Sequence, residues 1–215
     1  MSPRPYNSTT RRTAAEQTRV RIVAAAREVL AAEDDVLTFS LDAVAKRAGV
    51  VRMTVYYQFA SKAGLLEALF DDFSAHGGLA EMIPRAFQAA ADPGAALDAF
   101  VMAFAVFYDS DRLAIRRINA LAMLDAEVGR TLALRTARRR EASETLLAQI
   151  AVADPHALAL DQSSAAELLD ALCRFDLFDG LAGDERRIVD VAPGVQRVVR
   201  ASLLSPGRSG AEPRA

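Results

Sequence analysis

Cysteine, histidine and lysine are scarce in this chain, and tryptophan is absent. The 215 residues include one cysteine, Cys173, and two histidines, His76 and His156. A single cysteine cannot form an intrachain disulfide, which suits a reducing compartment such as the cytoplasm. These three residues also lack the ligand spacing of a metal site. We therefore expect no metal, no cofactor and a buried, unreactive thiol at Cys173.

Long apolar segments are missing as well. The longest, Ala99–Tyr108, is much shorter than the roughly 20 residues that a membrane-spanning helix needs. The first residues are polar and contain arginines, unlike a secretory signal. The sequence also contains no nucleophile elbow, phosphate loop or dinucleotide fingerprint. These absences argue against a membrane protein and leave an enzyme without candidate catalytic residues.

Charge is divided unevenly along the chain, although the formal net charge is only −2. Residues 1–70 hold 10 Lys and Arg against 7 Asp and Glu, whereas residues 71–215 hold 16 against 21. A basic N-terminal part on an acidic body fits a DNA-binding domain joined to a second domain. Because the basic excess is modest, tight DNA binding would need two copies acting together.

Residues 41–59 have the pattern of two short helices joined by a tight corner. Ser40 is a suitable N-cap, and Asp42 lies in the first turn, where the helix dipole favours a carboxylate. Gly49 can adopt the left-handed conformation that ends a helix, and Val50 fills the corner. This pattern predicts the first half of a helix-turn-helix.

The second helix is expected to span Arg52–Phe59. Val55 and Phe59 are four residues apart and share a buried face, while Met53 and Tyr57 lie on the opposite side. Such an outer face suits a helix that enters the major groove of DNA. An ordinary helical hairpin with a solvated face is the alternative interpretation.

Groups that can bind phosphate flank this helix. They are the hydroxyls of Tyr56 and Tyr57, the ammonium of Lys62, and the free backbone N–H groups of a helix that begins at Ser61. Together with the corner glycine, they favour DNA binding over the simple hairpin.

The run AGVVRMTVYYQFASK, from Ala48 to Lys62, resembles the signature of the tetracycline-repressor (TetR) family of bacterial regulators. The match covers about residues 13–70. The resemblance implies an all-α fold with a three-helix DNA-binding domain. It also implies a larger helical domain that binds a ligand and forms a homodimer through a four-helix bundle.

The resemblance also assigns roles within the motif. Its base-reading positions would be Arg52, Met53 and Thr54, and its phosphate contacts would be Ser40, Tyr57 and Lys62. The sequence departs from the family pattern in two places. Val51 stands where a small polar residue is usual, and Ala63-Gly64 replaces acidic residues that commonly follow the lysine.

The remainder of the chain has helical periodicity and no strand pattern. We expect a disordered arm over residues 1–12, the helix-turn-helix domain over 13–60, the second helical domain over 61–204 and a disordered tail over 205–215. Thr13 and Glu16 form a capping box that should open the first helix. One helix is expected from Asp161 through Phe178, and a last helix is expected to begin at Pro193.

Side chains of the second domain suggest two further sites. Phenylalanine and methionine are concentrated in a segment that could line an effector cavity or form ordinary core, namely Met82, Phe87, Phe100, Phe104, Phe107, Tyr108 and Met123. Two apolar stripes could form a four-helix dimer interface, namely Leu168, Leu172 and Phe175 with Val195, Val199 and Leu203. A basic, solvent-facing surface is expected from Arg135, Arg138, Arg139 and Arg140.

The sequence thus predicts a cytoplasmic, homodimeric repressor that binds a near-palindromic operator in double-stranded DNA. A small apolar or aromatic effector would release it. The alternative is a dimeric DNA-binding regulator without a small-molecule effector, and an apolar cavity with a polar anchor would separate the two.

Overall fold

The computed structural model describes residues 8–32 and 39–206. Within these ranges the secondary structure is helical, apart from an isolated antiparallel bridge between Leu158 and Leu204. The predicted all-α class is confirmed. The helices are α1 Ser8–Ala31, α2 Leu41–Ala48, α3 Arg52–Phe59, α4 Lys62–His76, α5 Leu79–Gln88, α6 Pro93–Ser110, α7 Arg112–Ala122, α8 Ala126–Ala153, α9 Gln162–Leu172, α10 Phe175–Ala182 and α11 Ile188–Leu203.

The chain divides into two compact units. The first comprises Met1–Asp72 with Leu113–Leu132, and the second comprises Phe73–Arg112 with Ala133–Ala215. The first unit is therefore larger than the 13–60 segment expected from the sequence, because it also takes in α7 and the first turns of α8. None of the helices in the described ranges is long and apolar enough to cross a bilayer.

The first helix begins earlier than its capping box predicts. α1 starts at Ser8 rather than Thr13, so residues 8–12 of the expected disordered arm are helical. The segment from Ser8 to Ala31 contains no proline or glycine to interrupt the helix. Residues 1–7 and 207–215, the rest of the expected arm and most of the expected tail, lie outside the described residues.

The core of the first unit is built from one apolar face of each helix. α1 buries Ile22, Ala26 and Leu30, and α4 buries Leu65 and Leu69. These positions recur every four residues, which places them on one side of each helix.

In the second unit, α6 is the central helix and packs against α5 and α11. Asp92 caps it by accepting the Ala95 N–H at 3.0 Å, and Pro93 occupies its first turn. Nine of its 18 residues are buried, as expected for a nearly continuous apolar sequence: Ala96, Leu97, Phe100, Val101, Ala103, Phe104, Ala105, Phe107 and Tyr108.

The prediction of a single helix from Asp161 through Phe178 is wrong. The helix is interrupted after Leu172, and Arg174 adopts an extended conformation with ψ 147° before α10 begins. The Tyr108 hydroxyl donates to the Cys173 carbonyl oxygen at 2.9 Å. This bond satisfies a carbonyl that would otherwise accept a helical N–H, so the break costs little hydrogen bonding.

The last helix begins at Ile188, five residues before the predicted Pro193. Asp109 accepts the Ile188 N–H at 2.8 Å, and Asp190 accepts the Arg187 N–H at 3.2 Å. These carboxylates cap the earlier start. Pro193 lies inside the helix on its exposed side, where its ring forfeits one backbone hydrogen bond.

The prediction that Arg139 belongs to an exposed basic surface on α8 is wrong, because Arg139 is largely buried. Its guanidinium forms an ion pair with Asp170 at 2.8 Å and donates to the Tyr108 hydroxyl at 3.3 Å. Burial raises the pKa of Tyr108 to about 12 despite the neighbouring guanidinium. The Tyr108 phenol is therefore a neutral hydrogen-bond donor that links α6 to the break after α9.

We expect Tyr108→Phe to lower the free energy of unfolding by about 1–3 kcal/mol, because it leaves the buried Cys173 carbonyl without its donor. Urea denaturation of the full chain measures the change. Tyr57→Phe is the matched control, since Tyr57 is 80% exposed. Equal stability of the Tyr108→Phe and wild-type proteins would contradict this role.

Candidate nucleic-acid interface

The two helices of the predicted helix-turn-helix form as expected. The Ser40 side chain caps α2 by accepting the Ala43 N–H at 3.2 Å. Gly49 ends α2 in the left-handed conformation, with φ 65°. Val50 then donates its N–H to the Ala45 carbonyl at 3.0 Å and closes the corner. The predicted caps of α2 are confirmed.

The inner face of α3 is held in the core of the first unit. Val55 and Phe59 are both buried, as their spacing predicts. Arg19 of α1 strengthens this contact, because its guanidinium lies 4.4 Å from the Phe59 ring centroid and donates to the Gln58 carbonyl at 3.0 Å. The sequence alone does not predict this contact of Arg19, because no local pattern connects residues 40 positions apart.

The outer face of α3 is exposed and carries few charges. Met53, Tyr56 and Tyr57 are 51%, 52% and 80% exposed, and Thr54 is half-buried. Arg52 is also exposed, and its guanidinium donates to the Asp42 carboxylate at 2.8 Å. Asp42 of α2 therefore forms an exposed ion pair with a predicted base-reading side chain, a contact that the sequence alone does not predict.

A close backbone approach joins α3 to α4. A Cβ atom built on Gly64 would lie 2.1 Å from the Phe59 carbonyl oxygen, so only glycine fits there. The Ser61 hydroxyl accepts the Gly64 N–H at 3.0 Å. Packing therefore requires glycine at position 64, two residues after Lys62.

The start of α4 is already occupied by acidic side chains. Lys62 donates to the Asp125 carboxylate at 2.7 Å, and the Ala63 N–H donates to the Glu127 carboxylate at 2.9 Å. The hydrogen bond from Lys62 lowers the pKa of Asp125. From the sequence alone these donors are expected to be available for phosphate, because the turn between α7 and α8 lies some 60 positions away.

The predicted effector cavity and the predicted dimer interface are only partly assembled. Phe100, Phe104, Phe107 and Tyr108 lie together on α6, and Met82 and Phe87 are half-buried on α5. Met123 is wrong as a cavity residue, because it is 86% exposed and belongs to the first unit. It follows the last turn of α7, where no other helix covers it.

The aromatic rings of α6 pack directly against one another. Ring centroids are 5.1 Å apart between Phe100 and Phe104, and 5.2 Å apart between Phe107 and Tyr108. Tyr108 also contacts Phe175 and Phe178, at 5.4 and 5.9 Å. These distances are those of favourable aromatic pairs. A molecule that binds among the rings would have to separate them.

The stripe predicted on α11 faces the wrong way for dimerisation. Val195, Val199 and Leu203 are buried inside the protomer, so they form its own core. Phe175 is buried as well, whereas Leu168 and Leu172 are half-buried. The error arises because two faces of α11 are apolar, and periodicity alone does not say which one packs inward.

An apolar groove of about 580 Å³ lies on the outer side of the same helices. Leu181 and Val198 are its exposed apolar residues, at 44% and 50%. Both signs of charge are present at the groove, which is lined by Leu172, Leu177, Leu181, Arg186, Asp190, Val191, Pro193, Gly194, Val195, Arg197 and Val198.

Comparison with protein families gives a match over the helix-turn-helix. Residues 22–69 match the model of the tetR family of bacterial regulatory proteins. The comparison with curated proteins found no match.

Solved structures of transcriptional regulators share the fold over most of this chain. NalD of Pseudomonas aeruginosa, the secondary repressor of the MexAB-OprM multidrug efflux pump, has a TM-score of 0.60 and 21% identity, covering 88% of this chain and 98% of its own. FadR of Bacillus subtilis in complex with stearoyl-CoA has a TM-score of 0.62 and 16% identity, covering 85% and 97%. A transcriptional regulator from Saccharomonospora viridis in complex with choline has a TM-score of 0.65 and 16% identity, covering 89% and 100%.

We expect Gly64→Ala to destabilise the first unit by about 1–3 kcal/mol, because the new methyl group would force the α3–α4 backbone apart. Thermal unfolding followed by circular dichroism measures this. In the matched control Gly180→Ala the methyl group meets no atom within 4 Å, and removal of a helical glycine should stabilise by about 0.5–1 kcal/mol. A Gly64→Ala protein as stable as wild type would refute the packing argument.

Proposed function

We propose that the chain is a sequence-specific regulator that binds double-stranded DNA as a homodimer and acts as a repressor. One observation carries the proposal. α3 buries Val55 and Phe59 in the core of the domain that matches the tetR family model and leaves Arg52, Met53 and Tyr57 exposed on its outer side. A helix held in this way can enter the major groove with its outer side chains against the base edges.

Base reading is assigned to the first turn of α3, and phosphate binding to its flanks. Arg52, paired with Asp42, can form two hydrogen bonds with the O6 and N7 atoms of a guanine. Met53 and Thr54 offer apolar and hydroxyl contacts beside it. We assign the hydroxyls of Tyr56, Tyr57 and Ser40 to contacts with the DNA backbone. Such contacts position a protein on DNA without selecting sequence.

A second copy of the chain is the proposed occupant of the α10–α11 groove. The groove exposes Leu181 and Val198 and carries Arg197 and Asp190 at its edge. In a twofold interface the same patch meets itself, so arginine of one copy can face aspartate of the other. Two recognition helices about 34–36 Å apart would then read one near-palindromic operator.

A small apolar or aromatic effector is proposed to bind the second unit and weaken DNA binding. The aromatic concentration on α6 supports this, as do the stearoyl-CoA and choline bound by proteins of the same fold. The close ring packing around Tyr108 favours the alternative of a regulator without such an effector. A compound library screened for release of the bound duplex distinguishes the two.

In vitro selection of DNA with the purified full chain tests sequence-specific binding. We expect selection to yield two related half-sites. Arg52→Ala should relax the preference at one base step in each half-site and cost about 1–3 kcal/mol of discrimination. Tyr57→Phe should weaken all duplexes alike, because it removes a phosphate contact.

Arg138→Ala is the matched control for Arg52→Ala, because Arg138 is an exposed arginine of α8 in the second unit. It should leave base preference unchanged. Selection that enriches no sequence, or an unchanged preference in Arg52→Ala, would contradict the proposed recognition.

We expect Val198→Asp and Leu181→Asp to convert a dimer into a monomer, because each places an unpaired carboxylate in an apolar interface. Light scattering at micromolar concentration measures the mass. Val152→Asp is the control, since Val152 is 85% exposed on α8 and does not line the groove. A wild-type monomer, or dimers in the groove variants, would refute the assigned surface.

A further inference from the structure

The start of α4 holds two hydrogen-bond donors suited to a phosphate, and both are bound within the chain. The Lys62 ammonium contacts Asp125 at 2.7 Å, and the Ala63 N–H contacts Glu127 at 2.9 Å. A lysine beside the N–H groups of a helix N-terminus is a favourable anion site, because the charge and the helix dipole act together. In this chain two carboxylates take the position of that anion.

We propose that Asp125 and Glu127 are an internal substitute for a DNA phosphate, so that DNA must displace them to reach the start of α4. The inference rests on the proposed DNA binding. It assigns these two acidic residues an autoinhibitory role that lowers the affinity of the free protein for any duplex.

The contact is well formed for this role. Both partners are partly withdrawn from solvent, with side-chain exposures of 18% for Lys62 and 30% for Asp125. The Lys62 ammonium also lies 5.6 Å from the Phe39 ring centroid. A carboxylate and a phosphate accept the same hydrogen bonds from these donors, so one ammonium cannot serve both at full strength.

The position of Asp125 is set by α8. Its Oδ1 atom accepts the Glu127 and Val128 N–H groups at 2.9 and 3.2 Å, while its Oδ2 atom accepts from Lys62. Asp125 therefore caps α8 and neutralises Lys62 with opposite sides of one carboxylate. α8 continues from this turn to Ala153. A shift of its first turn would move Asp125 and Glu127 and thereby change the availability of Lys62.

A purely structural role for the Lys62–Asp125 ion pair predicts a different change in DNA affinity from a competitive role. If the pair only stabilised the fold, its removal would weaken DNA binding or leave it unchanged. If the carboxylates compete with phosphate, their removal strengthens binding. The sign of the change in affinity therefore separates the two roles.

Asp125→Asn combined with Glu127→Gln is the informative variant. Asparagine caps a helix as well as aspartate does, so α8 keeps its cap while the charge is removed. The probe is a mixed-sequence duplex of about three helical turns, with binding followed by fluorescence anisotropy at about 50 mM salt. We expect the double variant to bind about 3- to 10-fold more tightly, because the two partly exposed competing contacts lose their charge and are weakened.

Two controls exclude a general charge effect. Glu141→Gln with Glu185→Gln makes the same change in net charge at exposed sites of the second unit and should alter affinity less than 2-fold at this salt. In a Lys62→Met background only the Glu127 contact with the Ala63 N–H remains to be weakened, so the double substitution at 125 and 127 should tighten binding much less than it does in the wild type. An equal gain with and without Lys62 would overturn the proposal, as would a double variant that binds no more tightly than wild type.

The exchange can also be followed in the unsubstituted protein. Lys46 and Lys62 are the two lysines of the chain, so reductive methylation with a carbon-13 label, which keeps the charge, gives few signals in a nuclear magnetic resonance spectrum. We expect the Lys62 signal to move when the duplex is added, toward its position in free Asp125→Ser, whose shorter side chain keeps a cap but cannot reach Lys62. A Lys62 signal that stays at its free-protein position in the saturated complex would refute displacement. Absence of duplex binding by every variant would instead refute the proposed function.

Discussion

Burial of Val55 and Phe59 beneath α3 is the constraint on which the functional interpretation depends. Two side chains four residues apart fix the rotation of a helix only eight residues long, and Arg19 of α1 closes over Phe59. Because the inner face is fixed, Arg52, Met53 and Tyr57 must point outward. A short helix has little stability of its own, so its place in the core also keeps it folded.

The α3–α4 junction brings packing and electrostatics into one small region. Gly64 lets α4 start against the Phe59 carbonyl, which places Lys62 and the Ala63 N–H at a defined position. Asp125, fixed as the cap of α8, meets Lys62 there. The groups that would hold DNA backbone are thus held by α8 within the first unit. A change in the stability of this contact would alter the availability of the groups proposed to bind DNA.

The second unit is organised around α6, which is apolar on nearly every side. Its Tyr108 is the exception within the aromatic cluster, since its hydroxyl needs a partner when buried. Cys173 supplies the acceptor, and Arg139 and Asp170 complete the network. One buried polar group therefore accounts for both the break between α9 and α10 and the inward position of an arginine expected at the surface. With Val195 and Val199 also inside, the outer groove at Leu181 and Val198 is the apolar surface that we propose for contact with a second copy.

Local sequence alone determined the elements whose signals lie within a few residues of each other. Ser40 and Gly49 set the ends of α2, the spacing of Val55 and Phe59 set the inner face of α3, and Asp92-Pro93 set the start of α6. Tertiary structure decided what depends on partners far along the chain. These features are the start of α11 at Ile188, whose N–H Asp109 accepts, the inward face of that helix, the burial of Arg139 and the pairing of Lys62 with Asp125. Caps and periodicity act over one or two turns, whereas the partner of a charge and the packed side of a doubly apolar helix are chosen only when distant segments meet.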